Sequence, residues 1–282
     1  MIIIDMNQIS LASLMMDLNM RKSNEVDESM VRHMILNSIR MYRQKFGKEY
    51  GEMVIVADGM NNWRKDVFPN YKVKRKKNRE ESSIDWTEAF RIIGMIRDEI
   101  RDNFPYKVVH QDGCEADDSI AHIAMSTQEF GRYEPVMIIS ADGDFKQLQV
   151  HKNVRQYSPL TKKFVVEKNP KLELANKILK GDSGDGIPNV LSADNCFVMG
   201  IRQRPVTQKR IAEWADINNM HDEVKRNYMR NKAMIDLSEV PQGMKDEILK
   251  AWHEDNGKDR SQLLNYFIKN KLRNLMECIT EF

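Results

Sequence analysis

The chain has 282 residues, with 44 lysines and arginines against 42 aspartates and glutamates, a formal net charge of +2 and 41% hydrophobic residues. At this length a chain can bury a large core, so a collagen, a mini-protein and a mostly disordered chain are excluded. Three cysteines without CxxC spacing favour a reducing compartment. No run reaches the roughly 20 apolar residues of a membrane span, and a secretory signal is lacking, so we expect a cytoplasmic protein without a membrane partner.

Four short runs rich in isoleucine and valine predict buried strands, at residues 2–4, 53–57, 106–110 and 136–140. Apolar residues at helical spacing lie between them, from Val31 to Phe46 and from Ala89 to Ile100. Strands that alternate with helices indicate an α/β fold, with a central, mostly parallel sheet and helices on both faces. The runs lack alternating polar residues, which is typical of strands buried on both sides.

A basic segment follows the second predicted strand, and between residues 61 and 79 its eight cations outnumber Asp66 to give a local charge of +7. Residues 61–83 show no sustained apolar period, so we expect an exposed insertion. Trp63, Phe68 and Tyr71 lie among the cations, and such a mixture is typical of surfaces that bind phosphates and stack bases. The residues predicted here to bind nucleic acid are Arg64, Lys65, Tyr71, Lys72, Lys74, Arg75, Lys76, Lys77 and Arg79. The alternative is that these cations only face solvent and bind no nucleic acid.

Strand patterns fade near residue 181, and apolar residues then recur at helical spacing in 211–215, 244–252 and 263–275. We therefore predict an α/β domain over 1–180, which includes the basic insertion, and a smaller all-helical domain over 181–282. A second cationic stretch without acids lies in the helical part, and we predict that it binds duplex: Arg202, Arg204, Lys209 and Arg210. A purely structural role is the alternative.

Acidic residues follow every predicted strand. They are Asp5, Asp58, the group Glu115, Asp117 and Asp118, and the pair Asp142 and Asp144, while KGDSGDGIPN adds Asp182 and Asp185. Because the carboxyl ends of parallel strands face one crevice, we expect these side chains to converge. Unpaired carboxylates repel each other, so positive ions are expected among them. Oxygen ligands favour Mg²⁺ or Mn²⁺, and two such ions are the arrangement used for phosphodiester hydrolysis.

The residues alone leave several alternatives open. An aspartate just beyond a strand is often only a helix N-cap or a turn former. On a helix that begins at Glu115, Asp118 shares its face whereas Asp117 does not. An EF-hand is disfavoured because Ala193 stands where its last glutamate would lie. The chain also lacks GxxxxGK, GxGxxG and a nucleophile elbow, which argues against an NTPase, a dehydrogenase and a serine hydrolase.

Five acidic motifs occur along the chain in the order IIID, VADG, EADD, SADGDF and KGDSGDGIPN. The chain resembles the 5′-nuclease superfamily of flap endonucleases, and within it the T-even phage ribonuclease H group, along essentially its whole length. The resemblance implies a PIN-like fold with the basic insertion as an arch. It implies metal ligands at Asp58, Asp117, Asp142 and Asp144 with Glu115 nearby, a second ion toward Asp5, Asp182 and Asp185, and Asp118 in reserve. Lys72 and Arg75 resemble arch cations, and they join Asp5, Asp58, Asp117, Asp142 and Asp144 as catalytic candidates.

The resemblance implies a Mg²⁺-dependent 5′ to 3′ exonuclease and flap endonuclease, with Mn²⁺ as a substitute, that removes RNA primers and 5′ flaps during lagging-strand replication. The implied partners of a monomer are DNA and RNA–DNA hybrids with a 5′ flap or end, together with replication proteins such as a single-strand-binding protein and a sliding clamp. NVLSADNCFVMG departs from many relatives because it lacks the GxG turn of a potassium-binding hairpin. Two rivals are a non-catalytic nucleic-acid-binding relative and a phosphatase with Asp5 as nucleophile, although the phosphatase expects an acid where Asn7 stands.

Overall fold

A six-stranded sheet forms the centre of the computed structural model, which describes residues 1–254 and 259–282. The strands are β1 (Ile2–Asp5), β2 (Met53–Ala57), β3 (Lys107–His110), β4 (Val136–Ile139), β5 (Val154–Ser158) and β6 (Lys163–Val165). Their order across the sheet is β3-β2-β1-β4-β5-β6, and only the β5–β6 pair is antiparallel among these described strands. The predicted mostly parallel α/β sheet is therefore confirmed, with β1 between β2 and β4.

The helices lie on both faces and dominate the chain after β6. They are α1 (Met6–Arg21), α2 (Glu28–Tyr50), α3 (Arg64–Val67), α4 (Val73–Glu80), α5 (Trp86–Asn103), α6 (Ala116–Ser126), α7 (Pro170–Lys180), α8 (Gln208–Glu213), α9 (Asp222–Ile235), α10 (Gln242–His253), α11 (Leu263–Lys269) and α12 (Arg273–Met276). Short 3₁₀ helices occupy Gly143–Val150, Ile217–Asn219, Leu237–Glu239 and Ile279–Glu281. Within the described ranges, no helix combines the length and the apolarity that a membrane crossing requires.

Successive residues of β1 point to opposite faces of the sheet and into two different cores. Ile2 and Ile4 pack with α2, α5 and α11, whereas Ile3 packs with α6 and α10. All three side chains are fully buried. Because both faces are covered by helices, the strand sequences carry apolar residues without alternation.

The C-terminal part is helical, as predicted, but it does not pack as one unit. Ile248 and Trp252 of α10 complete the core on one face of the sheet, and Phe267 of α11 joins the core on the other. The stretch from α7 to α9 contributes to two smaller clusters, one of which also contains Phe68 and Tyr71 of the basic segment. The helical region is therefore partly integrated into the sheet domain, and the boundary at residue 180 remains a prediction.

The sequence did not predict β5 and β6. Their sequences, VRQYS and KFV, are short and partly polar. No residue of the edge strand β6 is buried, whereas β5 carries the buried polar residues Gln156 and Ser158. Phe164 of β6 remains 44% exposed. A search for continuous apolar runs misses such strands.

Candidate active site

Three acidic residues meet where the central strands end. Asp5 is the last residue of β1, while Asp58 follows β2 and Asp142 follows β4 after a short turn. Asp5 accepts hydrogen bonds from the backbone N–H of Gln8 at 3.1 Å and from Ser140 Oγ at 3.0 Å. Burial, together with the nearby charges of Asp58 and Asp142, raises the pKa of Asp5 to about 6. Asp5 thus caps α1 and also belongs to a group of like charges.

The turn after β2 brings Asp58 against the start of α6. Asp58 Oδ1 accepts a hydrogen bond from the backbone N–H of Ala116 at 2.7 Å. A Cβ atom on the next residue, Gly59, would lie 1.9 Å from the carbonyl oxygen of Gln111. Only glycine allows this close approach of two chain segments, and the approach positions Asp58 beside the carboxylates of α6.

Asp117 and Asp118 are neighbours in sequence but occupy different environments. Asp117 faces the strand ends, and burial together with the charges of Asp142 and Asp5 raises its pKa well above the ordinary value. Asp118 is fully buried on the other side of the first turn of α6. Its two oxygens accept hydrogen bonds from Arg64 at 2.6 and 2.8 Å, and Trp63 Nε1 donates to it at 3.1 Å. The prediction of Asp118 as a metal ligand is corrected, because its carboxylate is fully buried between Arg64 and Trp63 and lines neither the acidic cavity nor the groove described below.

Lys72 connects the basic segment to the acidic group. Its ammonium group donates to Glu115 Oε1 at 2.6 Å and lies 3.7 Å from Asp185 Oδ2. Arg75 forms an ion pair with Asp185 at 2.5 Å. Burial alone would raise the pKa of Glu115, but Lys72 and Arg64 hold it below the ordinary value. The cations predicted to steer a phosphate are thus paired with the predicted ligands.

Lys177 is a member of the site that sequence reasoning missed. It lies on α7 and forms ion pairs with Asp144 and, at 2.9 Å, with Asp182 Oδ2. Burial raises the pKa of Asp144 to about 6 although Lys177 opposes the shift. Asp182 follows Gly181, which has a φ of +69° and whose Cβ would lie 2.4 Å from the carbonyl oxygen of Ile187. Nothing in the spacing of KILKGD indicates that its first lysine bridges two acids.

The acidic side chains suit a hard metal ion in chemistry and in charge. Five carboxylates line one cavity of about 10 Å³, from Glu115, Asp117, Asp144, Asp182 and Asp185. As they stand, no three His, Cys, Asp or Glu side chains of the described residues could hold an ion, and Lys72 and Lys177 contact the lining carboxylates instead. Asp5, Asp58, Asp117 and Asp142 form no ion pair with any described cation. An all-oxygen set with uncompensated charge fits Mg²⁺ or Mn²⁺.

The basic segment is not exposed throughout, contrary to the sequence-based expectation. Trp63, Phe68 and Tyr71 are 6%, 3% and 3% exposed, and Arg64 is 2% exposed. Tyr71 donates a hydrogen bond to Glu115 Oε2 at 2.7 Å. The predictions that Arg64 and Tyr71 bind nucleic acid, and that the three aromatic rings stack bases, are therefore corrected. The hydrophobic partners of Phe68 and Tyr71 on α7 and α9 come from distant sequence, so a local pattern does not reveal them.

The remaining cations of the segment border a large groove. Most of them lie on α4, which has no buried residue. The exposed cations are Lys65, Lys74, Lys76, Lys77 and Arg79, and Arg75 is half-exposed. The groove has a volume of about 1970 Å³ and is lined by α1, α4, α5 and the strand-end residues Asp5, Asp58, Asp117 and Asp142. The second predicted cationic stretch is exposed as well, at Arg202, Arg204, Lys209 and Arg210.

Two family models together match the whole chain. The model for the 5′-3′ exonuclease N-terminal resolvase-like domain matches residues 1–176, and the model for the T4 RNase H C-terminal region matches residues 168–282. The chain belongs to the 5′-3′ exonuclease family. The resemblance to flap endonucleases that the five acidic motifs indicated is thereby confirmed.

The chain is also similar to individual nucleases in sequence and in fold. The chain is 32% identical to the ribonuclease H of Enterobacteria phage T4, over 99% of this chain and 95% of that protein. It is 30% identical to the flap endonuclease Xni of Shewanella sp. (strain MR-4), over 49% of this chain and 52% of that protein. The bacteriophage T5 flap endonuclease, solved with DNA and metal ions, shares the fold with a TM-score of 0.64 and 17% identity, covering 90% of this chain and 99% of that one.

Proposed function

We propose that this chain is a Mg²⁺-dependent 5′ to 3′ exonuclease and flap endonuclease. It hydrolyses phosphodiester bonds of RNA primers and 5′ flaps on duplex DNA during lagging-strand replication. The observation that carries the proposal is the group Asp5, Asp58 and Asp117, carboxylates without an ion-paired partner among the described cations, beside a groove bordered by the basic helix α4. A polyanionic substrate and divalent cations are the two partners that such a pair of surfaces fits.

The residues divide into two ligand groups under this proposal. Asp58, Asp117, Asp142 and Asp144, with Glu115 nearby, would hold one ion, and Asp5, Asp182 and Asp185 would hold the other. When bound, such ions supply Lewis-acid chemistry that lowers the pKa of water and neutralises charge on the phosphate. Lys72 and Arg75 keep their ammonium and guanidinium groups at the mouth of the acidic cavity, where they orient the scissile phosphate. The T5 flap endonuclease, which has the same fold, was solved with DNA and metal ions, and this supports metal dependence in general.

Two cationic surfaces would hold different parts of the substrate. The exposed lysines and arginines of α4 border the groove that leads to the acids, so we assign them to the unpaired 5′ segment. The exposed stretch from Arg202 to Arg210 is assigned to the duplex. The substrates are DNA and RNA–DNA hybrids, the working form is a monomer, and a single-strand-binding protein and a sliding clamp are the proposed protein partners.

One cleavage assay tests the proposal. A 5′-labelled flap, a nicked duplex and an RNA–DNA hybrid are incubated with the protein in Mg²⁺, in Mn²⁺ and in EDTA. We expect cleavage with either metal and none in EDTA. Asp142→Asn should abolish cleavage, whereas Asp222→Asn, at an exposed carboxylate in the first turn of α9, should not.

The outcomes separate the proposal from its rivals. Tight binding without cleavage in either metal would indicate the non-catalytic relative. Hydrolysis of small phosphomonoesters without cleavage of polynucleotides would indicate the phosphatase. Wild-type cleavage by Asp142→Asn would contradict the assignment of the carboxylates.

A further inference from the structure

One face of α5 lines the groove without contributing to the acidic group. Phe90, Ile93, Gly94 and Arg97 occupy positions i, i+3, i+4 and i+7 of this helix, and all four line the groove that also holds Asp58 and Asp117. Residues at this spacing share one side of a helix. Phe90 is the large apolar residue among them that remains 41% exposed.

Aromatic and cationic groups hold the Phe90 ring in place. Its ring centroid lies 5.7 Å from that of Trp86, with 32° between the ring planes. The guanidinium carbon of Arg79, on α4, lies 5.2 Å from the Phe90 centroid. An exposed phenyl ring held between two helices in this way is a preformed stacking surface, because its orientation is fixed before a ligand arrives.

Open space adjoins this ring one helical turn further along α5. A Cβ atom added at Gly94 would meet no heavy atom within 4 Å apart from its own helix backbone and chain neighbours. Across the groove, Leu11 and Met15 of α1 contribute further apolar surface. Apolar side chains of α1 and α5 therefore line the groove beside charged ones: Arg91 and Arg97 of α5 also line it, and further cations come from α4.

We propose that Phe90 stacks on an unpaired base of the substrate strand and that this base lies over Gly94. The inference rests on the proposed function and deepens it: the strand in the groove is single-stranded, with its bases toward α1 and α5 and its phosphates toward α4. Sequence-independent binding of single strands combines cations for the backbone with aromatic rings for the bases. Bases within a duplex are stacked on each other and cannot use such a surface.

The test measures binding without metal, so that it does not depend on cleavage. Fluorescence anisotropy in EDTA compares two duplexes with a 5′ tail of ten nucleotides, one tail with bases and one abasic. We expect wild-type protein to bind the normal tail about tenfold more tightly than the abasic tail. Phe90→Ala should remove this preference while leaving the salt dependence of binding unchanged, because the phosphate contacts remain.

Two further variants distinguish a loss of base stacking from a loss of folding. Phe90→Leu keeps an apolar side chain but lacks a ring, so we expect it to lose most of the preference as well. Gly94→Leu should raise the thermal stability, since leucine favours a helix over glycine, and yet it should weaken binding of the normal tail because it fills the space of the base. Phe130→Ala serves as the matched control, because Phe130 is 93% exposed on the loop that precedes β4 and does not line the groove.

Equal wild-type affinity for both tails would overturn the proposal, as would a preference that persists in Phe90→Ala and Gly94→Leu. A base preference that depends on Phe90 supports it even if no substrate is cleaved in Mg²⁺, and that combination would contradict the nuclease function alone. Cleavage of flaps without any base preference would leave the nuclease function standing and remove the stacking role of Phe90.

Discussion

Asp118, which is paired with Arg64, and Asp117 are adjacent residues of α6, yet their electrostatic surroundings are opposite. Asp118 is fully buried and accepts hydrogen bonds from Arg64 and Trp63. Asp117, one residue earlier, has its pKa raised by burial and by the charges of Asp142 and Asp5. The first carboxylate anchors the basic segment to α6, whereas we assign the second to a cation from solution.

This difference shows what a count of charges leaves out. Consecutive residues of a helix point about 100° apart, so the two acids of EADD face different parts of the protein. Arg64 and Lys76 likewise belong to one basic run, but Arg64 is buried and Lys76 has an 81% exposed side chain. Substitution of a buried, ion-paired residue should therefore change the stability of the protein, whereas substitution of an unpaired or exposed charged residue should change its activity or its binding.

The largest effect is expected for Asp117→Asn. Loss of a metal-holding carboxylate should lower the rate of flap cleavage in Mg²⁺ about a thousandfold, as expected when several kcal/mol of charge stabilisation is lost. The free energy of unfolding in EDTA should rise slightly, because the repulsion from Asp5 and Asp142 is removed. Single-turnover cleavage and urea denaturation measure the two quantities, and a variant that loses stability instead of activity would reverse our assignment.

Asp118→Asn should show the opposite behaviour. Removing one partner of a buried ion pair costs about 3–5 kcal/mol, so the free energy of unfolding should fall by that amount. The folded fraction should keep most of its nuclease activity. Arg64→Met combined with Asp118→Leu should recover part of the stability, and a stable but inactive Asp118→Asn protein would instead return this residue to the metal site.

Divalent metal should stabilise the protein through the unpaired carboxylates. At a Mg²⁺ concentration a hundredfold above its Kd, the free energy of unfolding should increase by about 2.7 kcal/mol per ion. Thermal denaturation with and without EDTA measures the shift. Asp117→Asn should show a smaller shift, and an unchanged melting temperature in wild-type protein would argue against a metal site at the strand ends.

The smallest change concerns the exposed half of the basic segment. Replacing Lys74, Lys76 and Lys77 by Ala should make the plot of log K against log salt less steep by about two for a single strand, since each phosphate contact contributes about 0.7. The free energy of unfolding should stay within about 0.5 kcal/mol, because these side chains are exposed. Ala at Lys152, Lys168 and Lys171, three exposed lysines outside the segment, provides the control; an equal effect there would show that α4 has no special role.

Much of the fold could be predicted because the central strands and the helices beside them carry strong periodic patterns. The strand-end acids were found for the same reason, since every parallel strand ends at the same edge of the sheet. The roles of individual charged residues in and around the site were harder to predict. Arg64 pairs with Asp118, and Lys177 pairs with Asp144, across more than 30 residues of sequence, and no local spacing indicates such contacts.

The basic segment shows a second limit of sequence reasoning. Tyr71 and Phe68 are surrounded by charged residues, so the segment as a whole has no apolar period, although both rings are buried against Ile178 and Met234. Phe90, which belongs to an amphipathic helix with a clear buried face, is by contrast the exposed ring. Burial of single aromatic residues depends on tertiary partners, and helical spacing predicts only which face they share.

The position of β1 at the centre of the sheet has a consequence for the order of folding. β1 pairs with β2 and with β4. β2 follows β1 after about 50 residues, but β4 follows β1 only after more than 130 residues. In a nascent chain that has not yet reached residue 136, one edge of β1 is unpaired, and unpaired edges of apolar strands promote aggregation. Synthesis of β4 closes this edge, and in the same step it brings Asp142 next to Asp5, so correct strand pairing and assembly of the acidic group are a single event.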